Sequence, residues 1–176
     1  MLSLLTLLLI HFATGMIKVL FVCLGNICRS PLAEAIFNHK INLLGLEEKF
    51  ISDSCGTSDY HIGELPDERT LQCARKHEIK IQHRARQLNR VDIREFDYLI
   101  AMDFSNKKNI QNLMDKLSME HNQLFMMRQF QPSADHIEVP DPYYGGEDGF
   151  ENVYHILDNA IDHFLEHLKI EHNIYV

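Results

Sequence analysis

The sequence predicts an α/β fold: a three-layer sandwich with a central parallel sheet and helices on both faces. Three observations lead there. Apolar runs rich in β-favouring residues fall at 17–22, 50–55, 96–102 and 123–127. Helix-length patterns alternate with them, and strand–helix–strand order implies right-handed crossovers between parallel strands. The runs also end in loop formers or polar stops, Gly25-Asn26, Gly56-Thr57 and Asp103. These would gather at the C-terminal edge of the sheet, where such folds bind ligands near the switch point.

With 176 residues, 45% of them hydrophobic, the chain has material for one domain with a proper core. A formal charge of −8 argues against nucleic acid as a partner, and the scattered carboxylates read as an ordinary solvated surface. Four cysteines, Cys23, Cys28, Cys55 and Cys73, are too few for a secreted disulfide framework and lack the paired spacing of a structural zinc site. Cys55 and Cys73 read as small buried hydrophobes. Residues 1–15 form an apolar extension with no basic n-region, too short to span a bilayer, and Met16 stands where the domain 16–176 begins. A signal peptide with export is the alternative to a plain extension.

The elements follow in order. After the first strand and its loop, Pro31 to Leu44 reads as helix, with Ser30 as cap, Pro31 at the first helical position and Gly45 as stop. Phe50 to Cys55 is the second strand, and residues 58–66 form a loop whose Tyr60 is a candidate wall for an aromatic ring, or a packed surface aromatic. Asp67 to Lys76 is helical. Ile79 and Ile81 suggest a brief extended piece before a polar segment, where Arg84 and Arg86 either steer acidic substrates or sit in a solvated loop. Phe96 to Met102 is the third strand. Ser105 caps a helix to Leu117 carrying Ile110, Leu113 and Met114, and Gln123 to Met127 is the fourth strand. Residues 136–149 form a loop rich in Pro, Gly, Asp and Tyr. Glu151 to Lys169 is the cleanest amphipathic helix, with Val153, Ile156, Leu157, Ala160, Ile161, Phe164, Leu165 and Leu168 as its stripe. His163 and His167 lie four apart on it and read as part of its charged face, since no third ligand is evident.

Function concentrates in the stretch from Val19 to Pro31. An apolar strand ends at Cys23, Leu24-Gly25-Asn26-Ile27-Cys28 follow as a loop, and Arg29 closes it as Ser30-Pro31 open a helix. Strand, loop and helix N-terminus in that order form an anion cradle of backbone N–H groups. Gly25 permits angles that a Cβ forbids, and Asn26 tolerates a left-handed position. A thiolate at Cys23 would lie under the anion, favoured by the helix end, the loop amides and Arg29. The planar fork of Arg29 suits two phosphoryl oxygens. Asn26 and Ser30 hold the loop, and Ser30 is placed to bond the sulfur.

The spacing Cys-x5-Arg-Ser, with Cys28 directly before Arg29, resembles the signature of low-molecular-weight protein tyrosine phosphatases. The likeness extends over nearly all of residues 16–169. It implies a four-stranded sheet of order 2-1-3-4, and hydrolysis of phosphotyrosine and small aryl phosphates with neither metal nor other cofactor. Tyrosine-phosphorylated proteins would be the substrates and phosphate a product, with the chain a monomer or weak homodimer. It points to Asp141, in Asp141-Pro142-Tyr143-Tyr144-Gly145-Gly146, as general acid and base, with Tyr143 and Tyr144 flanking the substrate ring. His83 would support the buried polar network. Cys28 is either a redox partner for Cys23, a pair the family shares, or a tightly packed loop cysteine. A thiolate nucleophile also favours a reducing compartment, hence the cytoplasm.

Three rivals remain. Arsenate reductases of this fold relay a disulfide through further cysteines, and here the relevant region holds only Cys73. Arginine-phosphate hydrolases carry a small polar residue at the Ile27 position, whereas apolar Ile27 with Tyr60, Tyr143 and Tyr144 suits an aryl phosphate. A phosphate sensor would need neither Asp141 nor a nucleophilic thiol.

Overall fold

A computed structural model describes residues 15–175, apart from Asn122, Ser133, Tyr144 and the side chain of Glu147. Tyr144 and nearly all of the N-terminal extension therefore lie outside the described residues.

The central strand β1, Ile17–Cys23, pairs in parallel with β2, Phe50–Gly56, on one side and with β3, Tyr98–Ala101, on the other. Strand β4, Leu124–Met126, completes a four-stranded parallel sheet of order β2-β1-β3-β4. Val19 to Val22 are fully buried, as a strand covered on both faces requires. Alternate side chains enter different cores. Val19, Phe21 and Cys23 pack with α1 (Arg29–Leu43) and α5 (Gly146–Glu171), whereas Leu20 and Val22 pack with Ile93 of α3 (Arg90–Glu95) and Ile110 of α4 (Phe104–Leu117). Helices thus cover both faces, with α2 (Glu68–Lys76) beside α5.

The larger core is aromatic. Phe37 of α1 meets Phe21, Phe50 and Phe164 at ring-centroid distances of 5.6, 5.7 and 6.2 Å, so one ring ties β1, β2 and α5 to α1. Every residue of the α5 stripe is buried except Ile156, which is half-buried and packs against the same core.

Several boundaries depart from expectation. Helix α1 starts at Arg29, so Ser30 is inside it and Cys28 occupies the cap with no side-chain bond; the Ser30 hydroxyl is engaged elsewhere. Asp103, not Ser105, caps α4, accepting from the Asn106 N–H at 2.6 Å. Helix α3 arises where no element was expected, opened by a reciprocal capping box between Asn89 and Asp92. The third strand is shorter than expected because Phe96 is the last cap of α3, and the fourth because Met127 begins a 3-10 turn. Helix α5 begins five residues before Glu151, taking in the end of the expected loop.

Candidate active site

Cys23 ends β1 and Arg29 begins α1, so the loop between them lies at the C-terminal edge of the sheet. Its carbonyls are drawn outward. Those of Cys23 and Leu24 accept from the N–H groups of Thr57 and Ser58, each at 2.9 Å, and that of Ile27 accepts from Asp67 N–H at 2.9 Å. In a trans peptide the N–H points opposite its C=O, so the N–H groups of Leu24, Gly25 and Cys28 turn away from those partners. Gly56 makes room for the loop: a Cβ there would stand 2.6 Å from the Leu24 carbonyl oxygen and 3.1 Å from Gly25 C. Asn26 adopts the left-handed conformation, φ 57°, which its side chain tolerates better than most.

The fully buried Asn26 side chain orders the polar groups beneath the sulfur. The backbone N–H of Arg86 can only donate, and it reaches Asn26 Oδ1 at 2.9 Å, with His83 Nε2 on the same oxygen at 2.8 Å. The amide nitrogen must therefore face the other way, donating to Ser30 Oγ at 2.9 Å and to Ser54 Oγ at 3.0 Å. Ser54 passes its proton to Glu34 Oε2 at 2.7 Å, and the same carboxylate oxygen stands 3.2 Å from His83 Nδ1. Ser30, already an acceptor, turns its one proton to Cys23 Sγ at 3.0 Å or to the Cys55 carbonyl at 3.3 Å. With Asn26 N–H also donating to Sγ at 3.2 Å, the sulfur sits among groups that stabilise negative charge.

Arg29 is buried and its fork spans two carboxylates: Asp103 Oδ2 at 2.6 Å and Asp141 Oδ2 at 2.7 Å, with the Val139 carbonyl at 3.2 Å. Burial works against its charge, but Cys23, Asp141 and Asp103 together outweigh that and hold its pKa above the usual arginine value. Burial pushes the Cys28 thiol up to about 12, so Cys28 is a neutral thiol. All four cysteines are free.

Asp141 belongs to a segment anchored from two sides. Its Oδ1 accepts from Tyr143 N–H at 3.1 Å while Oδ2 holds Arg29. Arg69 of α2 donates to the Tyr143 carbonyl at 3.0 Å, with its guanidinium 5.4 Å from the Tyr143 ring centroid and 4.6 Å from that of Phe150. The result is a cavity of about 380 Å³ with Cys23, Arg29 and Asp141 together in its lining, and Ile27, Tyr60, His61 and Tyr143 among the remaining walls. That volume lies within the usual range for a small-molecule site.

Of the sequence-selected residues, Cys23, Leu24, Gly25, Ile27, Cys28, Arg29, Tyr60, Asp141 and Tyr143 line one cavity, with Asn26, Ser30 and His83 bracing it from below. Tyr60 is 74% exposed, a rim residue. Arg86 does not line the cavity, for it is paired with Asp53 at 2.8 Å and Asp92 at 3.0 Å. Sequence reasoning missed the Arg29–Asp103 pair, although Asp103 was placed at this edge. It also missed Glu34 and Ser54 in the network, and His61 in the wall. A polar residue on a helix face or strand otherwise committed to the core, as Glu34 and Ser54 are, was the available signal.

The comparisons agree with this geometry. The family model for low molecular weight phosphotyrosine protein phosphatase matches residues 18–173. A curated relative, the low molecular weight phosphotyrosine protein phosphatase of Schizosaccharomyces pombe, is 46% identical over 154 residues, 87% of this chain and 97% of its own. Among solved structures, YfkJ from Bacillus subtilis superposes with a TM-score of 0.84 at 38% identity, covering 89% of this chain and 97% of its own. A Drosophila arginine phosphatase gives 0.83 at 32% identity, covering 87% and 98%. With the cradle, its arginine and the sheet order all in place, the chain belongs to the low-molecular-weight phosphotyrosine protein phosphatase family.

Proposed function

We propose that the chain hydrolyses phosphotyrosine in proteins, and small aryl phosphates, through a cysteinyl-phosphate intermediate. The observation that carries this reading is the single cavity in which the Cys23 sulfur, the Arg29 fork and the Asp141 carboxylate converge. A phosphoryl dianion entering the loop takes up the Arg29 fork and releases Asp141 to carry a proton. A sulfur lone pair of Cys23 attacks phosphorus in line. The bond to the phenolic oxygen breaks, and Asp141 delivers its proton to that oxygen. Water then attacks phosphorus, Asp141 takes its proton, and the Cys23 thiolate leaves. Arg29 and the loop N–H groups offset charge on the transferring group. Tyr60 and Tyr143 flank the ring of the substrate, and apolar Ile27 closes the side of the cavity.

Cys28 lines the same cavity. In the oxidised enzyme its thiol condenses with a Cys23 sulfenic acid, releasing water and leaving a disulfide. As a neutral thiol it does so slowly. A reducing compartment suits this chemistry, with the chain acting as a monomer or weak homodimer. Among the described residues no helix is long and apolar enough to cross a membrane.

Arginine-phosphate hydrolysis is a second reading, favoured by the likeness to the Drosophila arginine phosphatase; the apolar Ile27 wall counts against it. The test compares p-nitrophenyl phosphate, phenyl phosphate, a phosphotyrosine peptide and phosphoarginine at mildly acidic pH in chelator. Cys23→Ser abolishes turnover. Asp141→Ala lowers kcat/KM by about 10²- to 10⁴-fold, more on phenyl phosphate than on p-nitrophenyl phosphate because the poorer leaving group depends more on its proton. Equal losses on the two esters would remove Asp141 as the acid. Turnover of phosphoarginine alone would establish the second reading.

A further inference from the structure

Away from the phosphate cavity, a second group of side chains has the composition of a metal site. Cys73 lies on α2 with His77 four residues on at its C-terminal cap, and Glu151 and His155 stand four apart on α5. Residues at that spacing share a helix face, and the two helices pack against each other. The ligand atoms of Cys73, His77 and Glu151 all lie within 4.8 Å of one another. Cys73 Sγ is 3.6 Å from Glu151 Oε2. His77 Nε2 is hydrogen-bonded to Glu151 Oε1, and His155 Nε2 is 3.6 Å from that same oxygen. The His77 ring is held flat against Tyr154, centroids 3.5 Å apart and planes 9° apart, so its orientation is fixed by packing.

We propose that these four side chains bind a divalent cation of the zinc class, joining α2 to α5. One sulfur, two imidazole nitrogens and one carboxylate form a donor set for a borderline-soft metal. Calcium and magnesium prefer oxygen throughout. Zinc bond lengths of about 2.0–2.3 Å place tetrahedral ligand atoms about 3.4–3.7 Å apart. The Cys73–Glu151 separation, 3.6 Å to Oε2, already matches; His155 approaches the other oxygen, Oε1, at 3.6 Å, and His77 gives up its hydrogen bond to Oε1 as its ring nitrogen takes up the cation. Cys73 forms the buried floor, while His155, 65% exposed at its side chain, is the ligand that swings in from solvent. On binding, the Cys73 thiol gives its proton to water and the cation takes its place on sulfur.

The resemblance implied a reaction without a metal, and neither the cysteine spacing nor His163 and His167 pointed to a structural site; the residues of the present group come from two separate segments and meet only in the fold. Among the described residues one other cluster, Glu34, Asp53 and His83, has similar spacing. It is committed elsewhere, Asp53 to Arg86 and Glu34 to Ser54 and His83 within the network under Cys23.

Cobalt(II) is the probe, added to the full-length Cys23→Ser protein so that the nucleophile cannot compete as a ligand. One equivalent is expected to bind with a thiolate-to-cobalt charge-transfer band in the near ultraviolet and the intense visible bands of four-coordinate cobalt. Tm should rise, and EDTA should reverse both changes. Adding Cys73→Ser should abolish the charge-transfer band. Glu151→Gln or His77→Asn should weaken binding about 10- to 100-fold, with far-UV circular dichroism confirming that each variant is folded. If Cys73→Ser does not fold, the Glu151→Gln titration decides alone. No cobalt bound at micromolar concentrations, or a band that survives Cys73→Ser, overturns the proposal.

Discussion

Replacing Asn26 by alanine tests whether its amide organises the site. The side chain makes four hydrogen bonds, to Ser30, Ser54, His83 and the backbone of Arg86, from a fully buried position. At about 1 kcal/mol each, their loss removes about 4 kcal/mol, less whatever Ser30 and Ser54 recover by rotating their hydroxyls. Alanine at φ 57° adds about 1 kcal/mol of backbone strain. The expected loss is therefore about 3–5 kcal/mol, out of the 5–15 kcal/mol typical of a small domain. Urea unfolding with a slope of about 2 kcal/mol/M would show it as a midpoint lowered by about 2 M. Two further variants divide the effect. Asn26→Gly removes the strain and should recover about 1 kcal/mol of it. Asn26→Asp keeps the acceptor for Arg86 and His83 but presents an acceptor to Ser30 as well. The Ser30 proton, open in the wild type to the sulfur or the Cys55 carbonyl, then turns to the carboxylate and no longer serves the sulfur. Losing a hydrogen bond to a charged sulfur lowers kcat about 10- to 100-fold. An Asn26→Ala midpoint within 0.5 M of wild type, or an Asn26→Asp variant with undiminished kcat, would refute the donor assignment; about 0.5 M corresponds to one ordinary hydrogen bond.

Two other changes probe the frame of the site. Gly56→Ala places a methyl group 2.6 Å from the Leu24 carbonyl, and every atom it meets is backbone of the phosphate loop. The loop must shift, and kcat/KM should fall about 100-fold with a melting curve that remains cooperative; wild-type kinetics would show that the loop does not depend on this contact. Asp103→Asn can keep its oxygen on the α4 cap only by turning its NH2 toward Arg29, donor against donor, so about 1–3 kcal/mol of stability should be lost as kcat/KM falls about tenfold. Asp103→Ala should cost about 1 kcal/mol more in unfolding because the cap is gone too.

The sheet and the nucleophile loop were legible because their signals are local. A strand buried on both faces must be continuously apolar, as Val19 to Val22 are. A left-handed residue just before a helix start favours Asn, as at Asn26; Gly25, expected to need angles a Cβ forbids, does not adopt a positive φ and is instead hemmed in by the His61 ring, 3.0 Å from where a Cβ would stand. Helix α5 was legible for the same reason, since its stripe repeats over many turns. What the sequence hid were polar partners distant along the chain. Asp103 lies 74 residues from Arg29 and His83 lies 57 from Asn26; no local pattern distinguishes such residues from solvated ones, and His83 was reached only through the family resemblance. The misplaced cap at Ser30 has the same origin. By helix rules alone a serine before proline should cap, but a long-range demand for its hydroxyl, at Cys23 and Asn26, decides the matter instead.

That competition explains why α1 begins as it does. A capping serine would spend its oxygen on a helix N–H two or three residues ahead. Here α1 has no side-chain cap at all, which leaves its first N–H groups without a side-chain acceptor from their own chain segment. Uncapped N–H groups and the positive end of the helix dipole are what an incoming dianion neutralises. The helix therefore forgoes about 1 kcal/mol of capping stability, and in the proposed reaction the same N–H groups become binding energy for the phosphoryl group. Stability and affinity draw on one set of N–H groups, so inorganic phosphate should raise Tm in wild type and do so least in variants that disturb the loop, Gly56→Ala foremost.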